Sequence, residues 1–435
     1  ELGERGTRAA VVVTAGMSAE QKQAMLKAAR KHTLRILGPN CIGMLVPHLG
    51  LNASFAHIGA QKGELAFVSQ SGALVTAMLD WAGSRGIGFS HFVSLGEHAD
   101  VDFGDMLDFL GSDPKTRAIL LYVESIEQPR KFMSAARAAA RNKPVIVVKS
   151  GRSAAGQQAA ASHTGALAGS DAVFDAAFAR AGMLRVDTLQ DLFLAAETLS
   201  RFRDGPSGQL IVLTNGGGAG VMAADAASAE GVPLATLTPD MLTRLNAVLP
   251  ANWSHANPVD IIGDAPADRY AQALEALSQD TDSAILFIHA PTAIVPSTDI
   301  AQTLLPRVST KPHRVLGCWL GDQAVANARQ LFRSAGVPDF DTPEQAVRAL
   351  SFLRTYRLHQ EELMQTPPAR TAEQPVDLPL MRQIVKEVLD SGRELLTERR
   401  GGHASSPDLG LGLDPGALTV GAFDLQAEVV DVDDL

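Results

Sequence analysis

The feature that most constrains this chain is a repeated alternation of short apolar runs with stretches of helical length. The runs are ELAFVSQ (64–70), FSHFVSL (89–95), AILLYVE (118–124), PVIVVKS (144–150), QLIVLTN (209–215), SAILFIHA (283–290) and HRVLGCWL (313–320). Most are continuously apolar rather than alternating, the pattern of strands covered on both faces. Helices are expected between them at 73–85, 102–110, 130–142, 170–181, 189–202, 220–230, 241–248 and 268–278. Strand followed by helix followed by strand predicts an α/β protein of doubly wound parallel sheets. Ahead of these, AAVVVTAG (9–16) and LRIL (34–37) bracket a helical stretch at 18–32. They read as the last βαβ unit of a Rossmann-like fold that begins in the middle of its pattern.

The polar, Gly- and Pro-bearing FRDGPSGQ (202–209) marks one boundary, and a second lies near 48–63. Three doubly wound units follow: a partial Rossmann-like one over 1–47, a second over 48–203 and a third over 204–365, with 366–435 as linker and irregular tail. The tail is rich in Gly, Ser, Pro and Asp from about residue 399 and has no steady period. Composition removes several classes of function. No window approaches the roughly 20 consecutive apolar residues of a membrane span, so no membrane partner is expected. Thirty-eight Lys and Arg stand against 48 Asp and Glu, a net charge of −10. That balance argues against nucleic acid and anionic surfaces as partners. Two cysteines make no disulfide framework, and no Cys/His cluster has zinc spacing, so no metal site and a reducing, cytoplasmic location are expected.

In open parallel sheets, ligands bind where strands end and helices begin. VSQSGALV (68–75) runs from strand into helix through Ser69, Gln70, Ser71 and Gly72. Unpaired N–H groups at a helix start, together with the helix dipole, attract an anion. The competing reading is a Ser cap on an ordinary helix. LTNGGGAGVMAAD (213–225) is a glycine-rich version, compatible with close approach of a ligand or with tight strand–helix packing. It ends in neither the Lys-Ser/Thr of a P-loop nor a clean dinucleotide fingerprint. GPNCIG (38–43) closes a strand, and its Cys41 has no basic neighbour in sequence to make it a nucleophile.

After the strand at 144–150 comes GRSAAGQQAAASHTGALAGSD (151–171), read as a long, small-residue loop. Loops of that length are usually functional or disordered. His163, between Ser162 and Thr164 and followed by Gly165, has room for a bulky group on its ring. Glu124, at the end of the strand 118–124, is placed to accept a bond from one imidazole nitrogen, which leaves the other as nucleophile.

These residues carry a likeness. GPNCIG (38–43), VSQSGAL (68–74), LLYVESI (120–126), SHTGALAG (162–169) and TNGGGAGVMAAD (214–225) resemble, in order and rough spacing, the motifs of the NDP-forming acyl-CoA synthetases. That family includes ADP-forming acetyl-CoA synthetase and, more distantly, the α subunit of succinyl-CoA synthetase. The resemblance implies a partial CoA-binding domain and two flavodoxin-like ligase domains. It implies an acid–thiol ligase interconverting acyl-CoA, phosphate and ADP with acid, CoA and ATP, through an acyl phosphate and a phosphohistidine. His163 matches the phosphorylated histidine and Glu124 the carboxylate that orients it. Ser69, Ser71, Gly72, Ala73, Thr164 and Gly165 match the phosphate cradle, and Gly38, Pro39, Asn40 and Cys41 the loop beside the CoA thioester. The 214–220 turn is left to packing or subunit contact.

The resemblance also implies ADP or ATP with Mg²⁺, held by an ATP-grasp domain or subunit, and assembly into an oligomer. The family's glycine-rich first half-domain is not in this chain. IVKEVLDSGRELLTE (384–398) is similar to the approach to an ATP-grasp domain, after which the sequence departs from it. Truncation or a frame error near Glu398 would explain the departure. Two alternatives stay open: the acetyl-CoA-sensing portion of a protein-lysine acetyltransferase, and a non-catalytic remnant.

Overall fold

The apolar runs pair as parallel strands. The computed structural model describes residues 1–164 (160–164 by backbone alone), 170–202, 204–206, 208–278, 282–310 and 313–365, with positions 383, 386 and 390. The chain divides into two units, Glu1–Thr366 and Pro367–Leu435, and every element below lies in the first. The stretch 384–398 and the tail therefore fall almost wholly outside the described residues.

β1 (Ala9–Val11) and β2 (Arg35–Leu37) form a parallel pair joined by α1 (Ala19–Arg30). Ser18 and Gln21 start α1 as a reciprocal capping box. The next sheet has seven strands: β3 (Gly43–Val46), β4 (Leu51–Ser54), β5 (Lys62–Ser69), β6 (Phe89–Ser94), β7 (Ala118–Val123), β8 (Val145–Lys149) and β9 (Leu184–Val186). Their order is β4-β3-β6-β5-β7-β8-β9, parallel from β6 to β9 and antiparallel at β3 and β4. Between them run α2 (Gly72–Ser84), α3 (Phe103–Ser112), α4 (Pro129–Asn142), α5 (Ala154–Thr164) and α6 (Asp171–Arg180), with α7 (Leu189–Phe202) leading out. The last sheet has β10 (Gln209–Thr214), β11 (Val259–Asp260), β12 (Ser283–His289), β13 (Val315–Trp319) and β14 (Asp339–Phe340), all parallel, in the order β11-β10-β12-β13-β14. Its helices are α8 (Gly217–Ala229), α9 (Pro239–Val248), α10 (Ala267–Leu277), α11 (Ser297–Val308), α12 (Ala326–Ser334) and α13 (Pro343–Met364).

Alternation along each strand sorts its side chains between two covered faces. On β5, Phe67 joins a core that also holds Leu210 and Val212 of β10 and Leu350 and Leu353 of α13. Ala66 and Val68 face the opposite way, onto α3 and α4. Ile211 and Leu213 of β10 face a third core with α9 and α10. The two larger sheets therefore share one layer of helices and one continuous apolar interior. Arg348 of α13 adds polar ties across that layer, to Asp191 of α7 at 3.0 Å and Glu230 at 3.5 Å.

The α/β class and parallel-rich sheets agree with the sequence reading, but several elements differ from it. The expected boundary region at 48–63 contains β4, and with β3 it forms a hairpin paired to β6, straddling the 47/48 break. The expected loop 151–171 is helical over Ala154–Thr164. Alanine has the highest helix propensity, and Ser153 Oγ accepts from the Gly156 amide at 3.1 Å to start the helix. Small residues signal a flexible loop only when glycine rather than alanine dominates. The helices α11, α12 and α13 and the two- and three-residue strands β9, β11 and β14 had no counterpart in the sequence reading. Among the described residues, no helix is long and apolar enough to cross a membrane and no group of three acidic, His or Cys side chains could hold a metal ion.

His289, wholly buried at the end of β12, lies between the Tyr270 hydroxyl at 3.0 Å from Nδ1 and Ser297 Oγ at 3.0 Å from Nε2. Burial pushes its pKa from 6.5 down to about 4. The unfolded chain thus takes up a proton that the folded one refuses. The stability this provides is complete above pH 6.5 and is lost as pH falls toward 4. The linkage amounts to about 3 kcal/mol. The melting temperature should fall over that window, and His289→Gln should flatten the fall. A variant with the wild-type pH profile would assign the loss to other groups.

Candidate active site

The two larger sheets each have one point where the chain reverses its direction of winding. From β5 it passes through α2 to β6 on one side, then through α3 to β7 on the other. From β10 it passes through α8 and α9 to β11 on one side, then through α10 to β12 on the other. Crevices open at the carboxyl ends of strands at such points. There the chain has Ser69-Gln70-Ser71-Gly72 and Thr214-Asn215-Gly216-Gly217.

The two turns are built alike. Ser69 Oγ accepts from the Ser71 amide and donates to the Ser71 carbonyl, both at 3.0 Å. Thr214 Oγ1 accepts from the Gly216 amide at 3.1 Å and donates to its carbonyl at 3.2 Å. The next side chain in each turn grips the end of the neighbouring strand. Gln70 Oε1 accepts from the amides of Glu124 at 2.5 Å and Ser125 at 3.0 Å, while Nε2 donates to Ser125 Oγ at 3.2 Å. Asn215 accepts from the Ala290 amide and donates to the Ala290 carbonyl, both at 2.9 Å. Ser69 pairs with Tyr122 and Thr214 with Ile288, so each amide side chain holds the strand two residues past the last paired position. Neither α2 nor α8 has a side-chain cap at its start. The first-turn amides of α2, and those of Gly217 and Gly218 in α8, are therefore available to an acceptor, with the dipole favouring negative charge; the Ala219 amide is already taken by the Gly216 carbonyl at 3.1 Å.

The 38–43 loop is drawn to the first of these turns. Its carbonyls at Pro39 and Gly38 accept from the amides of Glu97 at 2.9 Å and Ala99 at 3.1 Å, and the Ile42 amide donates to Ser94 Oγ at 3.1 Å. A side chain on Gly72 would meet Ile42 at 3.1 Å, so the loop touches the start of α2. Asn40 is exposed, with a left-handed φ of 56°. Cys41 is buried, its Sγ 3.4 Å from the Val12 carbonyl, and burial pushes its thiol pKa up. It serves the core and presents no nucleophile. Glu124 is half-buried where β7 ends. Lys149 ends β8; it is buried, donates to the Ser150 carbonyl, and lies 4.6 Å from the Phe174 ring. Helix α5, whose backbone carries His163 and Thr164, departs from that same edge of the sheet; Gly165 lies outside the described residues.

A succinyl-CoA ligase-like flavodoxin domain is matched over residues 62–199 and a ligase-CoA domain over 210–350. The α subunit of acetate–CoA ligase [ADP-forming] I from Pyrococcus furiosus is 36% identical over 81% of this chain and 78% of its own length. This chain belongs to the ADP-forming acid–CoA ligase family. Acetate–CoA ligase [ADP-forming] I of Archaeoglobus fulgidus is 37% identical over 90% of this chain, which spans only 57% of that relative. A solved structure of dinucleotide-forming acetyl-coenzyme A synthetase 1 from Ca. Korarchaeum cryptofilum, in complex with phosphate and ADP, aligns with a TM-score of 0.77 and 34% identity. It covers 85% of this chain and 82% of its own. These relatives are ligases and lend the acetyltransferase-sensor alternative no support.

For this ligase-family chain, the fold brings together Gly38, Pro39, Asn40, Ser71, Gly72, Ala73 and Glu124 along one sheet edge. Ser69 belongs to the same turn, but its hydroxyl is buried and committed to Ser71. Sequence reasoning passed over Gln70 and Asn215. The signal was present: an amide side chain between two small residues at a strand's end has no reason to be there unless it bonds across to a neighbour.

Proposed function

We propose that this chain is the acyl- and phosphoryl-handling component of an ADP-forming acid–CoA ligase. What supports the reading most is the uncapped start of α2, at a winding reversal and tied through Gln70 to the strand end that carries Glu124. The chemistry runs as follows. Inorganic phosphate attacks the thioester carbonyl of an acyl-CoA, and the CoA thiolate leaves, giving an acyl phosphate. An imidazole nitrogen of His163 attacks phosphorus, and the carboxylate leaves as free acid. The phosphohistidine then passes its phosphoryl group to ADP.

Glu124 holds the other imidazole nitrogen, which fixes the tautomer and balances the charge that develops on the ring. The amides of Gly72 and Ala73, with Ser71, Thr164 and Gly165, bind the oxygens of the transferring group. Such transfer needs positioning and charge stabilisation more than covalent help. The backbone of Gly38, Pro39 and Asn40 borders the thioester. Three parts carry these roles: a partial Rossmann-like CoA-binding portion ahead of the β3–β4 hairpin, and two doubly wound, flavodoxin-like units meeting near residue 204. ADP and Mg²⁺ are held by an ATP-grasp partner, as the α-subunit relatives suggest, within a larger assembly in the cytoplasm.

The test supplies ATP, Mg²⁺ and the ATP-grasp subunit of a related ligase, and seeks phosphate on His163 by mass spectrometry without acid. Phosphate on the wild type and none on His163→Ala is expected. An unlabelled wild type, with a partner proven on its own α subunit, would overturn the proposal.

A further inference from the structure

The described side chains of helix α5 bury little against the core. Its residues 154–159 are exposed or half-exposed, and none is buried. Side chains so exposed do not pin that part of the helix to the core. Polar contacts at its root take that place. Arg152, two residues before α5, forms an ion pair with Asp187 and has its Nε 3.6 Å from Asp171. Asp171 is the first residue of α6. The two ends of the segment 152–171 are therefore joined directly to each other, with His163 between them in sequence.

The junction is anchored from below. Arg185 of β9, its side chain only 7% exposed, is ion-paired to the same Asp171 carboxylate, and lies 3.4 Å from Asp175. Asp187, just past β9, is also held by Arg348 of α13 at 3.1 Å. Lys149 adds a third positive charge facing Asp171. An isolated exposed ion pair contributes little, but here a nearly buried guanidinium shares its carboxylate with a second cation.

We infer that Asp171, held jointly by Arg152 and Arg185, is a clasp that closes the base of the histidine-bearing segment and positions His163 for phosphoryl transfer. The inference rests on the proposed function for its catalytic consequence, and on geometry alone for the clasp. Arg152 acts through α5 and touches no substrate, so it is a positioning residue.

The test uses the full chain with its ATP-grasp partner and the variants Arg152→Ala, Arg152→Lys and Asp171→Asn. Two readouts are taken on each: deuterium exchange of the α5 amides, and the rate of phosphate transfer to His163. Exchange in α5 should quicken in Arg152→Ala and Asp171→Asn while exchange in β5–β8 stays unchanged; the melting temperature should hold in Arg152→Ala and fall in Asp171→Asn, which leaves the nearly buried Arg185 without its closer charge partner. The transfer rate should drop about 10- to 100-fold, the usual cost of a displaced reacting group, with KM for acyl-CoA unchanged. Arg152→Lys should restore part of both. Unchanged exchange in both charge-removing variants would overturn the clasp. Faster exchange with an unchanged rate would overturn its positioning role. A wild type that takes up no phosphate would sink the functional reading instead, leaving exchange to decide the clasp.

Discussion

Gln70→Ala should be among the most damaging single changes in the chain, lowering stability by about 2–4 kcal/mol and phosphate transfer to His163 by roughly 100-fold. The stability loss comes from orphaned donors. Gln70 Oε1 is the acceptor for both the Glu124 and Ser125 amides. A half-buried amide left without its acceptor costs about 1–2 kcal/mol, and this change leaves two. The activity loss follows under the proposed chemistry, because those amides set the backbone from which the Glu124 carboxylate projects. Gln70→Glu separates the two effects. It keeps an acceptor for both amides, and its second oxygen can accept from the Ser125 hydroxyl in place of the amide bond, but it places a carboxylate at a buried position, so only part of the stability should return. Thermal melting and single-turnover phosphorylation measure the two quantities. A Gln70→Ala enzyme with near wild-type transfer would show that the clamp is structural only.

Gly96→Ala should act on the other side of the site. Gly96 has a φ of 57°, and a Cβ there would lie 2.3 Å from the Pro39 carbonyl oxygen and 2.4 Å from that of Asn40. Backbone cannot yield as a flexible side chain does. The 38–40 loop must move, weakening the bonds from the Glu97 and Ala99 amides. Left-handed strain costs about 1–2 kcal/mol. The displaced loop brings the total to about 2–4 kcal/mol, within the range of severe single changes. Gly86→Ala is the control: its φ is 65° and nothing lies within 4 Å of the added carbon, so strain alone is felt. Under the proposed function, Gly96→Ala should raise KM for acyl-CoA about tenfold or more, while phosphorylation of His163 from ATP is spared. Equal effects of the two glycine changes would remove the loop from the account.

Much of the architecture was legible because it is written locally. Continuous apolar runs demanded strands covered on both faces, and β5, β7, β8, β10, β12 and β13 lie within or close to those runs. The Ser69–Gly72 and Thr214–Gly217 turns were visible as small residues joining strand to helix. The β3–β4 hairpin was not, because its strands are four residues each and β4 sits in the stretch that reads as a boundary. Helix α5 was missed because alanine and glycine were weighed together as small residues, although they pull in opposite directions on a helix. The role of Cys41 shifted for a different reason. Its place at a strand end was readable, but only packing reveals that the thiol turns inward.

By itself, then, the sequence determined the fold class, the strand-to-helix turns and the family likeness, since each rests on residues adjacent along the chain. Tertiary structure alone decided what those turns do for one another. Gln70 finds Glu124 and Asn215 finds Ala290 only after strands 54 and 75 positions apart in sequence are laid side by side. Arg152 meets Asp171 and Asp187 only once β9 closes the edge of the seven-stranded sheet. Hydrogen bonds and ion pairs of that kind depend on distance and direction in space, which local propensity does not encode.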